Sequence, residues 1–314
     1  MRKLSIQGHT AYLFEPASGS AKRSVLFAHA TGIAALSYSQ ILKAWADEHR
    51  VNVYAYDVAG HGDGPPCTLD RNAGNLNRLP ALLCEQLKSL YRSLSERYPC
   101  EWSLAGHSLG AWLALYAAHD LNVRHIILLD IPLLPITSAV IWAGACFLNK
   151  RTIHPLARAA RRRKKTFKNA EQALKAFKRN HFFRGWKTEH IENYIEANFC
   201  TQPNGELSLK HDPNWEADLF ESQPQLHTPL FLRMSTRQRN ELKIDLIAGE
   251  RSQVCHASSI RYFNIFFPHT RWLLIPNSGH MFPFENTPQL IETLHLAFPR
   301  ETTSLFNDIE VKAC

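Results

Sequence analysis

The sequence lacks the features of a membrane-spanning, secreted or metal-binding protein. No stretch approaches the roughly 18 apolar residues of a membrane-spanning helix, and runs such as 126–129 are only strand-sized. The charged N-terminus is not followed by an apolar segment, so we expect no secretory signal. The seven cysteines include no Cys-x-x-Cys pair and no Cys/His cluster with zinc spacing, which predicts reduced thiols and a cytoplasmic location.

Cofactor signatures are missing as well. The chain contains no His-Glu-x-x-His, Gly-x-Gly-x-x-Gly or Gly-x-x-x-x-Gly-Lys-Ser/Thr motif, so we expect neither a metal nor a cofactor. What is present is the composition of a soluble globular protein, with 314 residues of which 45% are hydrophobic and 20% charged. Those proportions exclude a disordered, collagen-like or coiled-coil chain and allow a sizeable core.

Short apolar runs alternate with longer amphipathic ones, the pattern of a mostly parallel sheet with crossover helices. After a hairpin at 3–7 and 11–15, the predicted strands are 24–28, 51–56, 102–105, 125–129, 243–248 and 271–275. The predicted helices are 36–49, 79–98, 109–119, 258–266 and 288–298.

The alternation stops between about 133 and 227, where we predict helices rich in Lys, Arg and aromatic residues and no strand. The simplest layout is one α/β domain formed by residues 1–132 and 229–300, with a helical insertion at 133–228. The polar tail at 301–314 is expected to be loosely attached.

The strongest local motif is Gly106-His107-Ser108-Leu109-Gly110. It lies between a predicted strand and a predicted helix, where Gly-x-Ser-x-Gly forms a tight turn that exposes the serine hydroxyl above the sheet. The N-terminus of the following helix favours negative charge near that hydroxyl. We therefore predict Ser108 as a nucleophile.

With this turn the chain resembles the α/β-hydrolase-fold serine hydrolases, and three other segments match that family in order. They are Phe27-Ala28-His29-Ala30-Thr31-Gly32, Asp57-Val58-Ala59-Gly60-His61-Gly62 and Asn277-Ser278-Gly279-His280-Met281-Phe282. The resemblance implies an α/β-hydrolase fold, with a mostly parallel central sheet, flanking helices and a helical cap inserted at 133–228.

The resemblance also implies roles for particular residues. His280 would be the general base, and the backbone amides of Leu109 and Thr31 would form an oxyanion hole. We predict that His29, His107 and Met281 line the substrate pocket. For the two histidines, packing that shapes the loops is the alternative.

The acid of the family commonly follows the seventh strand, where this chain reads Gly249-Glu250-Arg251-Ser252-Gln253. The expected carboxylate position holds Ser252 or Gln253, and neither carries a negative charge. Asp130 follows the sixth strand, where some dehalogenases and lipases place the acid, and it is our prediction. Glu250, or a dyad without an acid, is the alternative.

These residues predict a serine hydrolase that cleaves a small or medium carboxylic ester through an acyl-enzyme intermediate. A thioesterase, lactonase or carbon–carbon bond hydrolase would use the same site. The missing acid at Ser252-Gln253 also leaves open a degenerate, ligand-binding protein on the same fold. The expected partner is a small-molecule ester, without nucleic acid.

The positive charge is concentrated in the insertion. The chain has a formal net charge of +8. Residues 133–228 contain fifteen Lys and Arg against nine Asp and Glu, hence +6. The run from Arg158 to Lys165 is the most basic part. A solvated cationic face, an anionic substrate and an anionic membrane surface are the interpretations it allows, with nucleic acid disfavoured because no binding motif accompanies the charge.

Overall fold

A computed structural model of the chain describes residues 1–66, 73–148, 150–223 and 227–298. The strands in this part are β1 Arg2–Ile6, β2 His9–Phe14, β3 Arg23–Ala28, β4 Val51–Tyr56, β5 Glu101–His107, β6 His125–Leu129, β7 Thr166–Phe167, β8 Phe199–Thr201, β9 Leu207–Leu209, β10 Lys243–Gly249 and β11 Arg271–Ile275. The α-helices are α1 Ser39–His49, α2 Ala73–Arg97, α3 Leu109–Ala118, α4 Ile136–Phe147, α5 Pro155–Arg161, α6 Ala170–Arg179, α7 Thr188–Asn198, α8 Pro213–Ser222, α9 Thr228–Arg233, α10 Thr236–Glu241, α11 Ala257–Phe266, α12 Phe282–Glu285 and α13 Thr287–Ala297.

Eight strands form one sheet in the order β1-β2-β4-β3-β5-β6-β10-β11. β2 is antiparallel to both β1 and β4, and the other pairs are parallel. The strands and helices predicted for this part of the chain therefore form the expected mostly parallel sheet with flanking helices.

The sheet is covered on both faces, which explains why its central strands are apolar on both sides. Along β6, Ile126 and Leu128 belong to a core that includes α2, α3 and α11, whereas Ile127 and Leu129 belong to a core that includes α1 and α13. α3 is buried except at Tyr116, as expected for a helix that is apolar all round. This packing fixes the start of α3, and with it Ser108.

The insertion departs from the prediction in one respect. It contains a small antiparallel sheet in the order β7-β9-β8, so the prediction of no strand between 133 and 227 was wrong. These strands have two or three residues each, too few for an alternating pattern to be recognised. Whether 133–228 is a separate cap stays a prediction, and the tail at 301–314 lies outside the described residues.

No helix in the described ranges is long and apolar enough to cross a bilayer.

Candidate active site

The turn between β5 and α3 holds Ser108 in a rare backbone conformation, with φ 54° and ψ −114°. A Cβ added at Gly106 would lie 2.1 Å from the carbonyl carbon of Gly110, and one at Gly110 would lie 1.9 Å from the carbonyl oxygen of Ala28. Both positions therefore require glycine. The strain at Ser108 is maintained by this close packing, as is common at functional sites.

The side chains of Ser108, His280 and Asp130 form one hydrogen-bonded chain. Ser108 Oγ lies 3.1 Å from Nε2 of His280, and Nδ1 of His280 lies 2.6 Å from Oδ2 of Asp130. Because an ionised carboxylate can only accept, Nδ1 carries the proton of a neutral imidazole, and Nε2 is free to accept the serine proton. This arrangement is the one that activates a serine for nucleophilic attack.

Asp130 lies directly after β6 and is fully buried. Its Oδ1 accepts from the backbone N–H of Gly249 at 3.0 Å, and the hydroxyl of Ser252 donates to Oδ2. Together with His280, these groups provide the donors that a buried carboxylate needs. Ser252, which stands where the family commonly has its acid, thus hydrogen-bonds to the carboxylate of the neighbouring strand.

Glu250, the alternative acid, lies at the protein surface. Its carboxylate accepts from the backbone N–H of Asn277 at 2.8 Å. Both ring nitrogens of His280 are already engaged by Asp130 and Ser108. The geometry therefore supports Asp130 over Glu250.

The loop that carries His280 is held at its backbone. Nε2 of the buried His107 donates to the carbonyl oxygen of His280 at 2.9 Å, and the hydroxyl of Tyr38 donates to Nδ1 of His107 at 2.7 Å. Burial, followed by the neighbouring His280, lowers the pKa of His107 well below its usual range, which keeps that ring neutral. One residue earlier, the N–H of Gly279 donates to Glu285 at 2.8 Å.

The predicted oxyanion donors are the backbone amides of Thr31 and Leu109. Leu109 begins α3 directly after Ser108, where the helix dipole favours negative charge. Thr31 lies in the loop after β3, and its buried hydroxyl oxygen has no partner. Within the ranges that the structure covers, neither amide donates to a protein acceptor, so both are available to a ligand. Their role in holding an oxyanion stays a prediction.

The three residues predicted to line the pocket are buried. His29 donates through Nδ1 to the carbonyl of Ala30 at 2.8 Å and accepts from the N–H of Val58 at 2.9 Å, which joins the loops after β3 and β4. His107 has both ring nitrogens engaged, as described above. Met281 is 5% exposed and precedes α12. The histidines therefore support the loops, and substrate contact by any of the three stays a prediction.

The insertion is hydrogen-bonded to the loops around the nucleophile. The bonds join Asn198 to Ala34, Arg163 to Gly32 and Trp215 to Ala59, with N···O distances of 3.0, 3.4 and 2.9 Å. Two of these loop residues lie in the loop that carries the predicted oxyanion donor Thr31. The insertion therefore takes part in shaping that loop.

An ion cluster fixes the Arg163 contact. The carboxylate of Glu216 accepts from Arg163 and from Nε2 of His211. Burial alone would raise the pKa of Glu216, but Arg163 and His211 lower it to about 2. Glu216 is therefore ionised at neutral pH and holds the guanidinium beside Gly32.

Solvent reaches Ser108 and His280 but not Asp130. Ser108 is half-buried, and the side chain of His280 is 25% exposed, whereas that of Asp130 is fully buried. Across the described part of the chain, no three His, Cys, Asp or Glu side chains are grouped as ligands for a metal ion. Of the three hydrogen-bonded side chains, those of Ser108 and His280 are the ones within reach of a substrate.

Comparison with protein families agrees with this geometry. The model of the alpha/beta hydrolase family matches residues 25–293, a range that contains Ser108, Asp130 and His280. The chain belongs to the alpha/beta hydrolase family. A search of the curated proteins finds no match.

Several solved structures share the alpha/beta hydrolase fold with this chain. E-2-(acetamidomethylene)succinate hydrolase is 16% identical, with a TM-score of 0.69 over 95% of this chain and 97% of that one. An esterase of Mycobacterium tuberculosis is 18% identical, with a TM-score of 0.65 over 94% and 90%. The thioesterase domain of the curacin biosynthetic pathway is 15% identical, with a TM-score of 0.67 over 94% and 98%. At these identities the likeness shows the fold alone.

Sequence reasoning missed most of the residues that support the site of this alpha/beta hydrolase. The role of Ser252 could have been inferred from the sequence. It occupies the position where the family commonly has its acid, and a hydroxyl there can donate to a carboxylate that follows the neighbouring strand. No sequence signal pointed to Tyr38, Asn198 and Arg163, because their partners depend on how the insertion and the loops pack together. Sequence motifs point to the candidate reacting groups. They rarely point to the residues that hold those groups in place.

Proposed function

We propose that this protein is a serine hydrolase that cleaves small or medium carboxylic esters. The observation that carries the proposal is the hydrogen-bonded chain from Ser108 through His280 to Asp130. A nucleophile, a base and a group that orients the base are the parts that a serine triad uses to transfer an acyl group to water.

In the first half of the reaction, Ser108 Oγ attacks the acyl carbon while Nε2 of His280 takes the hydroxyl proton. The carbonyl electrons move to the oxygen, which accepts hydrogen bonds from the amides of Thr31 and Leu109. Collapse of this intermediate breaks the ester C–O bond, and the departing alkoxide takes from His280 the proton that came from Ser108. It leaves as the alcohol, and the acyl group stays on Ser108. Asp130 stabilises the imidazolium and fixes its orientation throughout.

In the second half, His280 removes a proton from a water molecule, and the resulting hydroxide attacks the acyl-enzyme. The carboxylic acid leaves and the proton returns to Ser108. A carboxylate nucleophile, as haloalkane dehalogenases and epoxide hydrolases use, is disfavoured because Ser108 occupies that position.

The proposal includes the role of the insertion as a cap, and its hydrogen bonds to Gly32, Ala34 and Ala59 support that role. It also includes the cytoplasmic location, with which the free state of Cys84, Cys100, Cys146, Cys200 and Cys255 is consistent.

The test is covalent labelling with a fluorophosphonate probe, which reacts with activated serines. We expect the wild-type protein to be labelled and the S108A variant not to be. Well-folded wild-type protein that remains unlabelled would instead favour a ligand-binding protein on the hydrolase fold. Hydrolysis of p-nitrophenyl esters with increasing acyl length, next to matched thioesters and lactones, then separates the ester from its alternatives by kcat/KM.

A further inference from the structure

Exposed apolar side chains are concentrated in one short part of the insertion. Among the described residues, fifteen large hydrophobic side chains are exposed, and seven of them lie between residues 136 and 156. They are Ile136, Val140, Ile141, Phe147, Leu148, Ile153 and Leu156. Ile141 is 72% exposed and Phe147 is 90% exposed. Exposed apolar side chains that are concentrated in this way suggest a contact with a partner or a membrane.

Helix α4 directs an apolar face away from the protein. Only two of its twelve residues are buried, and residues 131–149 contain no charged side chain. At about 100° of rotation per residue, Ile136, Val140 and Phe147 fall within about 40° of one another on the helix surface. The exposed Ile141 and Leu148 widen this face on one side.

A cationic segment follows α4 directly. Residues 150–168 contain nine Lys and Arg and no Asp or Glu. Three of the nine hydrogen-bond to side-chain or carbonyl oxygens of α8. Lys150, Arg158 and Arg162 are exposed, and in the part of the chain that the structure covers they form no ion pair. These three cations are therefore available to an anionic partner.

The apolar and cationic groups lie on neighbouring parts of the insertion. Trp142, on the inner side of α4, packs edge-on against His154, with ring centroids 4.7 Å apart. His154 is the N-cap residue of α5, so α4 is tied to the start of α5. The exposed residues of α5 include Leu156 and Arg158, which lie about 200° apart around this helix. We call the seven apolar residues together with Lys150, Arg158 and Arg162 the α4–α5 surface.

We propose that the α4–α5 surface docks on the surface of a bilayer that contains anionic phospholipids. An apolar face inserts at the level of the headgroups while neighbouring cations bind the lipid phosphates, and the two contributions add. The attachment lies on the bilayer and does not cross it, in agreement with the absence of a spanning helix from the described ranges. The proposal does not depend on the reaction that the site catalyses.

Charge complementarity favours a bilayer over the other occupants. In a symmetric pair of this chain, the same surface would face itself and bring the cations of both copies together. Nucleic acid would pair with the cations but would leave the apolar face of α4 uncovered. α4 begins six residues after Asp130, so the first residue of this helix lies within about 20 Å of Asp130.

The test is flotation of the full chain with vesicles of phosphatidylcholine alone and with added phosphatidylserine. We expect the wild-type protein to float with the anionic vesicles and to be released as the salt concentration rises. The R158Q/R162Q variant should lose about 25-fold in partition coefficient, at about fivefold for each cation. The I141S/F147S variant should lose roughly tenfold or more, because it removes apolar area that would enter the interface.

Matched controls separate the surface from general effects. The R92Q/R124Q variant removes two charges elsewhere, and I265S removes a side chain that is 74% exposed on α11, so both should float like the wild type. Each variant is first shown to keep the wild-type Tm. The proposal is overturned if the wild type ignores anionic vesicles, if the controls lose as much as the test variants, or if I141S/F147S dissociates a wild-type dimer without changing flotation.

Discussion

Replacing Asp130 by asparagine should reduce kcat/KM by about 10⁴. In the wild type, Oδ2 receives the Nδ1 proton of His280 and the hydroxyl of Ser252, while Oδ1 receives the N–H of Gly249. An asparagine offers one acceptor oxygen and one amide nitrogen, so one of these positions must become a donor.

The two orientations of the amide have different consequences. With its nitrogen toward Gly249, two N–H donors would face each other, and the backbone N–H of Gly249 cannot rotate away. With its nitrogen toward His280, the hydroxyl of Ser252 can turn to accept, and His280 can shift its proton from Nδ1 to Nε2. The second orientation is therefore preferred. It leaves Nε2 protonated against Ser108 and unable to take the serine proton, which raises the barrier by about 5.4 kcal/mol.

The assay is kcat/KM on a p-nitrophenyl ester, with thermal unfolding as a check on folding. E250Q is the matched control, because Glu250 is a carboxylate in the loop that the family usually uses, and its activity should remain within about twofold of the wild type. A D130N variant within tenfold of the wild type, or an E250Q variant that loses as much as D130N, would refute this assignment of the acid.

Three other outcomes follow from the same contacts. S252A removes a hydrogen bond to the Asp130 carboxylate and should lower kcat/KM about tenfold; an unchanged value speaks against a role for this hydroxyl. Y38F leaves the buried N–H of Ala30 and Nδ1 of His107 without their partner, so the free energy of unfolding from urea titration should fall by about 1–3 kcal/mol, and no change would contradict the network. Burial lowers the pKa of His29 and His61, in the loops after β3 and β4, and of His107, at the end of β5. The unfolded chain therefore binds protons at a higher pH than the folded one, and Tm should fall as the pH drops below about 6.5. A Tm that rises toward pH 5 would disprove this.

The sheet and the turn at Ser108 could be predicted from the sequence because each leaves a local signal. The alternation of apolar runs indicates β3 to β6, and the glycines around Ser108 indicate the turn that needs them. The short strands β7 to β9 leave no such signal, because two or three residues do not establish a period. They exist because a hairpin and the aromatic cluster around Phe177 and Phe199 pack together, which only the folded chain shows.

The position of Asp130 was predictable for a different reason. A carboxylate at the end of a buried apolar strand is costly unless partners satisfy it, so its presence in the sequence implied donors nearby. The identity of those donors, Gly249 and Ser252, depends on the register between β6 and β10 and was beyond local reasoning. The sequence therefore indicated Asp130 as a candidate, and only the structure shows which groups donate hydrogen bonds to it.

The hydrogen bonds of Asn198, Arg163 and Trp215 to the loops after β3 and β4 limit how the insertion can be changed by engineering or by evolution. An insertion that covered the site without contributing to the structure of its loops could be deleted, exchanged or moved as a rigid unit. Here the loop that contains Thr31 obtains part of its backbone hydrogen bonding from Arg163 and Asn198 of the insertion. Substitutions in the insertion and in this loop therefore have to be compatible with each other. A shortened core without the insertion would therefore not retain the wild-type geometry at Thr31.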